Sequence, residues 1–214
     1  MKFKGLLFDL DGTLIDTSEL IIRSFQHTFK QHYDRILSLQ EIYAFFGKPL
    51  KAAMEHYGPD KVDELIKTYR EFNLNHHDEL TTGFTGVPEA IHKLYNAGIL
   101  TAIVTSKTKS TAIRGLRLFD MHKYFPVVIG HEECQKHKPD PEPVLLALAQ
   151  LKLSPSECLM VGDSPFDLAS ARAAGVKTAA VRWTRIDWEN LLTEQPDYVL
   201  ETINDLLDIC LIEK

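Results

Sequence analysis

The sequence predicts an α/β fold: a doubly wound parallel sheet with a helical domain inserted after its first strand. Three observations carry this expectation. The short apolar run Phe3-Lys4-Gly5-Leu6-Leu7-Phe8 reads as a buried strand and ends at two acids, Asp9 and Asp11. After Gly83, β-rich runs alternate with helical stretches, which implies a parallel sheet covered on both faces. Between these, residues from about 16 to 80 show helical periodicity and no convincing strand. The first strand would have an unpaired backbone on its own, so it belongs to the later sheet and the helical block is an insertion. The expected division is 1–15 and 84–214 for the sheet domain and 16–83 for the helical one.

The elements follow in order. Asp16 and Glu19 have capping-box spacing, and Leu20, Ile21, Phe25 and Phe29 then recur near helical period to about His32. Ser38 and Glu41 repeat the box and open a second helix to about Phe46, broken by Gly47-Lys48-Pro49. A short helix runs to Tyr57. Gly58-Pro59 breaks the chain again, with Pro59 suited to the first turn of a long charged helix over 61–77. Pro88 opens the next helix and Gly98 closes it. Strands are expected over 99–105, 125–129, 158–162, 177–182 and 198–200. Helices are expected over 108–118, 143–151, 165–174 and 202–211.

The 214 residues suffice for one large domain with a smaller insertion. A net charge of −6 with no Lys/Arg block argues against a nucleic-acid or membrane-surface protein. No apolar run approaches the roughly 20 residues of a membrane span, and Asp9 interrupts the N-terminal one, so no signal peptide is expected. Cys134, Cys158 and Cys210 are odd in number and widely spaced, which fits reduced thiols and a cytoplasmic location.

Four segments carry chemistry. Asp9 and Asp11, two apart at a strand end, repel unless a cation or a shared proton lies between them, although Asp11-Gly12 also suits a simple turn. Ala102-Ile103-Val104-Thr105-Ser106 is a strand ending in hydroxyls, able to donate to phosphate or to cap the next helix. Lys138-Pro139-Asp140-Pro141 places a lysine before two prolines that stiffen the backbone, which suits a point charge for phosphate. Val161-Gly162-Asp163 is a further strand ending in acid, with Asp167 one helical turn beyond.

In this order, each at the end of an expected strand, these segments resemble the four motifs of the haloacid dehalogenase (HAD) superfamily, with Asp9-Leu10-Asp11-Gly12-Thr13-Leu14 as the first. The resemblance covers essentially the whole chain. It implies a Rossmann-like core with a C1 cap, and an Mg²⁺-dependent phosphohydrolase. It makes Asp9 the nucleophile that forms an aspartyl-phosphate and Asp11 the acid and base. Asp9, Asp163 and the Asp11 carbonyl become the metal ligands. Thr105, Ser106 and Lys138 bind phosphate, and Asp167 lies behind them.

Finer detail, including Tyr69-Arg70, Phe72-Asn73 and the run from Lys138 to Leu148, resembles the PpaX-type pyrophosphatases. Lys48, where that family commonly has Pro, is a candidate for a second anionic group of the substrate. Arg70 joins it if its helix lines the cleft. A small phosphorylated substrate is therefore expected, pyrophosphate first. The alternatives are phosphoglycolate or another small phosphomonoester, a sugar phosphomutase, or a phosphate-binding module without turnover. The histidines suggest no metal site: His76 and His77 are adjacent on a helix, and His131 and His137 around Cys134 fit no zinc spacing.

Overall fold

The computed structural model describes residues 2–211. Strand β1 (Gly5–Phe8) leads to a two-residue strand β2 (Ile15–Asp16). Helices α1 (Ser18–Tyr33), α2 (Leu39–Tyr43), α3 (Leu50–Tyr57) and α4 (Val62–Leu80) follow. The chain returns through β3 (Thr82–Gly83), then alternates: α5 (Val87–Asn96), β4 (Leu100–Val104), α6 (Lys109–Leu118), β5 (Val127–Ile129) and α7 (Glu142–Leu151). It ends with β6 (Cys158–Gly162), α8 (Pro165–Ala173), β7 (Lys177–Val181), α9 (Trp188–Leu192), β8 (Tyr198–Leu200) and α10 (Asp205–Leu211).

Six strands form one sheet in the order β5-β4-β1-β6-β7-β8, every pair parallel. The fold is the α/β class that the alternation predicts. Side chains alternate across β1, so Leu6 and Phe8 join the cluster formed with α5, α6 and α10, while Leu7 joins the one under α7. Both faces are thereby covered, and β1 lies fully buried at the centre. Among the described residues no helix is long and apolar enough to cross a membrane.

The helical segment has a separate apolar cluster in which Phe29, Met54 and Leu65 are fully buried. Each contributes about 1.5–3 kcal/mol by leaving water. The segment is joined to the sheet by the antiparallel pair β2–β3, with Ile15 opposite Gly83 and Asp16 opposite Thr82. Two residues per strand give no readable periodicity, which is why neither was expected. Arg114 on α6 ties α4 to the sheet, its Nε donating to Asp78 at 2.8 Å and its Nη1 to the Leu74 carbonyl at 2.8 Å.

Four expected details differ. The Asp16/Glu19 capping box does not form. Asp16 accepts from the Ser18 N–H at 2.9 Å and Thr17 takes the N-cap position, while Glu19 accepts from Arg23 at 2.6 Å. The Ser38/Glu41 box does form, but its helix ends at Tyr43, short of Phe46. The long helix starts at Val62, leaving Pro59 in the preceding turn. The last helix starts at Asp205, because the Asp205 carboxylate collects the N–H groups of Glu201 and Thr202.

Candidate active site

The register of the sheet brings the motif residues together. Phe8 lies level with Ile103 on β4 and Val161 on β6, so Asp9, Thr105 and Asp163 emerge side by side at the strands' C-terminal ends. The Asp9 N–H donates to the Val161 carbonyl at 2.9 Å and the Thr105 N–H to the Ile129 carbonyl at 3.0 Å, so pairing continues past the strands. This edge is where open α/β sheets bind ligands.

Lys138 reaches the same point from the loop before α7. Its ammonium donates to Asp9 Oδ1 at 2.7 Å, Asp167 Oδ1 at 2.5 Å and the Val104 carbonyl at 3.1 Å. Lys138, Asp9, Asp163 and Asp167 are all buried. Burial pushes the Asp9 carboxyl up to about 7; Lys138 opposes the rise and Asp167 and Asp11 add to it. Burial, with Asp9 and Asp167 alongside, also holds Asp163 well above the ordinary carboxylate range. Burial alone would lower Lys138, but Asp167 and Asp9 outweigh it and raise it.

Three buried acids around one lysine leave an excess of negative charge when ionised, which is relieved either by protonation, the direction in which Asp9 and Asp163 are pushed, or by a compensating cation. Asp9, Asp163 and Asp167 offer carboxylate oxygens within 4.8 Å of one another, the one such group of candidate metal-ligating side chains among the described residues. Asp167 is already occupied. Its Oδ1 accepts from Lys138, and its Oδ2 accepts from the Ser164 N–H at 3.0 Å and hydroxyl at 2.7 Å. Asp163 has only long contacts, from Thr13 at 3.4 Å and Thr184 at 3.2 Å. Asp163, and Asp9 through its Oδ2, are therefore the acids free to serve a hard divalent ion, and such oxygen donors fit Mg²⁺. Gly12 makes room for this arrangement. Its φ is +83°, and a Cβ there would lie 2.3 Å from Asp163 Oδ2.

Asp11 faces the cleft beside these groups. Its Oδ1 accepts from the Thr17 hydroxyl at 2.7 Å and from the Lys107 ammonium. Thr105 Oγ1 accepts from the Lys107 N–H at 3.2 Å, which leaves its own hydrogen free to donate. Ser106 is exposed on the same wall.

The cleft encloses about 740 Å³, with the strand ends on one side and the helical segment on the other. Lys48 and Arg70 both line it from the helical side. The break at Gly47 faces the sheet closely: a Cβ on Gly47 would lie 2.8 Å from Ser164 Cβ. Lys48 is exposed, its ammonium 4.8 Å from the Phe45 ring centroid.

Lys107, Tyr69, Asn73 and the His131–His137 pair were not expected at the cleft. Lys107 had one signal, its place directly after the strand-end hydroxyls. Tyr69 and Asn73 are four apart on α4, on the face that also buries Leu65, Thr68 and His77. Burial and nearby Asp11 hold the Tyr69 phenol above its ordinary range. His131 and His137 stack with centroids 3.8 Å apart. Burial, His137 and Arg70 keep the His131 imidazole below its ordinary range. His76 and His77 have separate partners, Glu79 at 3.2 Å and Asp78 at 2.8 Å.

Acids, a lysine and a hydroxyl gathered at the ends of adjacent parallel strands define an anion- and cation-binding site at the edge of an open α/β sheet. Residues 6–181 match the family model of haloacid dehalogenase-like hydrolases, and the chain belongs to that family of enzymes. It is 46% identical over 209 residues to a Caldanaerobacter subterraneus subsp. tengcongensis protein whose name assigns it provisionally to the PpaX pyrophosphatases, covering 98% of this chain and 95% of the relative. It is 43% identical over 209 residues to the pyrophosphatase PpaX of Anoxybacillus flavithermus, covering 98% and 97%. Among solved structures, a haloacid dehalogenase-like hydrolase of Streptococcus pneumoniae superposes with a TM-score of 0.89 at 26% identity, over 97% of this chain and 98% of that one.

Proposed function

We propose that this enzyme is an Mg²⁺-dependent phosphohydrolase that acts through an aspartyl-phosphate and hydrolyses inorganic pyrophosphate. One observation carries the reading: three buried carboxylates and a single buried lysine meet at the strand ends and open into a cleft with further cations on its walls. The names of the relatives above favour pyrophosphate within that chemistry.

In this reading Asp9 attacks the phosphorus and Asp11 deprotonates the water that later releases the phosphoryl group. Lys138 and the Thr105 hydroxyl, with Ser106 at the rim, balance charge on the transferred oxygens. Asp9, Asp163 and the backbone carbonyl of Asp11 would hold Mg²⁺, whose charge would offset that of acids and phosphate. Asp167 orients Lys138. Residues 16–83 form a cap domain over a core of 1–15 and 84–214, and Lys48 presents a charge to the substrate from that cap. The three free cysteines suit a reducing cytoplasm.

A second reading, a phosphatase for phosphoglycolate or another small phosphomonoester, is favoured by the size of the cleft. Its 740 Å³ leaves space beside pyrophosphate, and among the described residues Lys48 and Arg70 form no ion pair that would keep them from a carboxylate. A phosphate-release panel with Mg²⁺ separates the two. It compares kcat/KM for pyrophosphate, phosphoglycolate, sugar phosphates and nucleotides, with Asp9→Asn as blank. Preference for pyrophosphate is expected. Preference for phosphoglycolate discards that substrate, and turnover by Asp9→Asn discards the chemistry.

A further inference from the structure

The site holds two ammonium groups with different partners. Lys138 sits between Asp9 and Asp167, on the side of the attacking carboxylate. Lys107 sits on Asp11, the group placed above at the water and leaving-group side. Lys107 is a built feature: its side chain is only 16% exposed, its N–H donates to Thr105 Oγ1 at 3.2 Å, and its carbonyl accepts from the His131 N–H at 2.8 Å. The Asp11 oxygen it contacts also accepts from Thr17 at 2.7 Å. That oxygen is thus presented as an acceptor with two donors already on it.

Leaving-group chemistry gives this arrangement a consequence. In the first step an Asp9 oxygen forms a bond to phosphorus, and the bond from phosphorus to the leaving oxygen breaks with its electron pair leaving on that oxygen. An alkyl phosphomonoester expels an alkoxide, which must receive a proton from a neighbouring acid. Singly protonated pyrophosphate expels hydrogen phosphate, which needs no proton and is stabilised by a cation. In the second step water forms a bond to phosphorus as its proton passes to Asp11; the bond from phosphorus to the Asp9 oxygen breaks with its electron pair returning to the carboxylate, hydrogen phosphate leaves, and Asp11 gives its proton to solvent.

We propose that Lys107 is the specificity-determining residue for phosphoanhydrides: it moves from Asp11 onto the departing phosphate and so favours substrates whose leaving group is itself phosphate over alkyl esters. The same move frees the Asp11 oxygen for the water of the second step. This rests on the phosphohydrolase reading above and adds to it a reason for the substrate class.

The test compares wild type, Lys107→Met and Lys107→Arg on three substrates: pyrophosphate, p-nitrophenyl phosphate (a good leaving group without a second phosphate) and phosphoglycolate. Lys107→Met is expected to lower kcat/KM for pyrophosphate about 100-fold, the scale for losing one charge-stabilising donor. Because Lys107 also touches Asp11, kcat/KM for the other two substrates should fall as well, but at least about tenfold less than for pyrophosphate, and Lys107→Arg should restore part of the lost pyrophosphate-to-ester ratio. A parallel fall on all three substrates, or an undiminished pyrophosphate rate, overturns the proposal. If Lys107→Met does not fold, the ratio of pyrophosphate to p-nitrophenyl phosphate activity in Lys107→Arg decides it, since an unchanged ratio with a reduced rate means structural support only. Wild type inactive on pyrophosphate, or Asp9→Asn active, sinks the underlying reading instead.

Discussion

Replacing Asp9 with Asn should make the metal-free protein more stable, although it removes the proposed nucleophile. Burial raises the Asp9 carboxyl from an ordinary 3.8 to about 7, net of the attraction of Lys138. A carboxyl raised on folding contributes stability that is fully present below pH 3.8 and is lost as pH rises through about 7. At about 1.4 kcal/mol per pH unit, ionised Asp9 costs up to about 4 kcal/mol at pH 8. That figure is a ceiling, because Asp163 shares the same field and the empty site relaxes. At about 2–4 °C per kcal/mol for a chain of this size, that ceiling corresponds to a rise in Tm of about 8–16 °C for Asp9→Asn at pH 8. The assay is thermal unfolding in EDTA from pH 4 to 8, repeated with Mg²⁺. The gap should open with rising pH and close towards pH 4, and Mg²⁺ should stabilise wild type more than the variant. An Asp9→Asn protein less stable than wild type at pH 8 in EDTA, or a gap independent of pH, would refute the reasoning.

Gly12→Ala places a Cβ 2.3 Å from Asp163 Oδ2 at a φ of +83°, so kcat/KM should fall at least about 100-fold and the Mg²⁺ requirement rise; a normal Mg²⁺ titration would contradict this. His77 is fully buried, its Nδ1 on Asp78 and its Nε2 without a partner, and burial holds it below its ordinary 6.5. A histidine lowered on folding gives stability present above about 6.5 and lost as pH falls below it. His77→Gln should therefore remove part of the Tm loss between pH 7 and 5, and an identical slope in both proteins would count against it. Burial, with Glu142 and Glu133 nearby, pushes the half-buried Cys134 thiol up to about 11. At pH 8 iodoacetamide should alkylate it at least about 100-fold more slowly than free cysteine, judged by mass spectrometry.

Much of the sheet and the acids at its edge could be read from the sequence, for a physical reason. Central parallel strands are buried on both faces, so β1 and β6 read as unbroken apolar runs and β4 as one interrupted only by Thr101, and the first polar residue after each, Asp9, Asp163 or Thr105, lies at the binding edge. Lys138 was legible through the prolines that pin it. What stayed hidden depends on distance or brevity. Lys107 takes its meaning from Asp11, 96 residues away. The strands β2 and β3 are two residues each, and α9, five residues long, has too few turns to show a period. Asp16 and Glu19 had the spacing of a capping box, but Asp16 is also half of the β2–β3 pair, and that tertiary pairing prevailed over the local signal.

The account turns on Asp9 carrying the phosphoryl group, and trapping that species tests it most directly. Asp11→Asn should slow release of the phospho-enzyme without preventing its formation. After mixing this variant with ³²P-pyrophosphate and Mg²⁺ and quenching in acid, protein-bound label should approach one phosphate per chain. It should be labile to hydroxylamine, map to Asp9, and vanish in the Asp9→Asn/Asp11→Asn double variant. Label that persists without Asp9, or Asp11→Asn turning over at the wild-type rate with no label, would contradict the account.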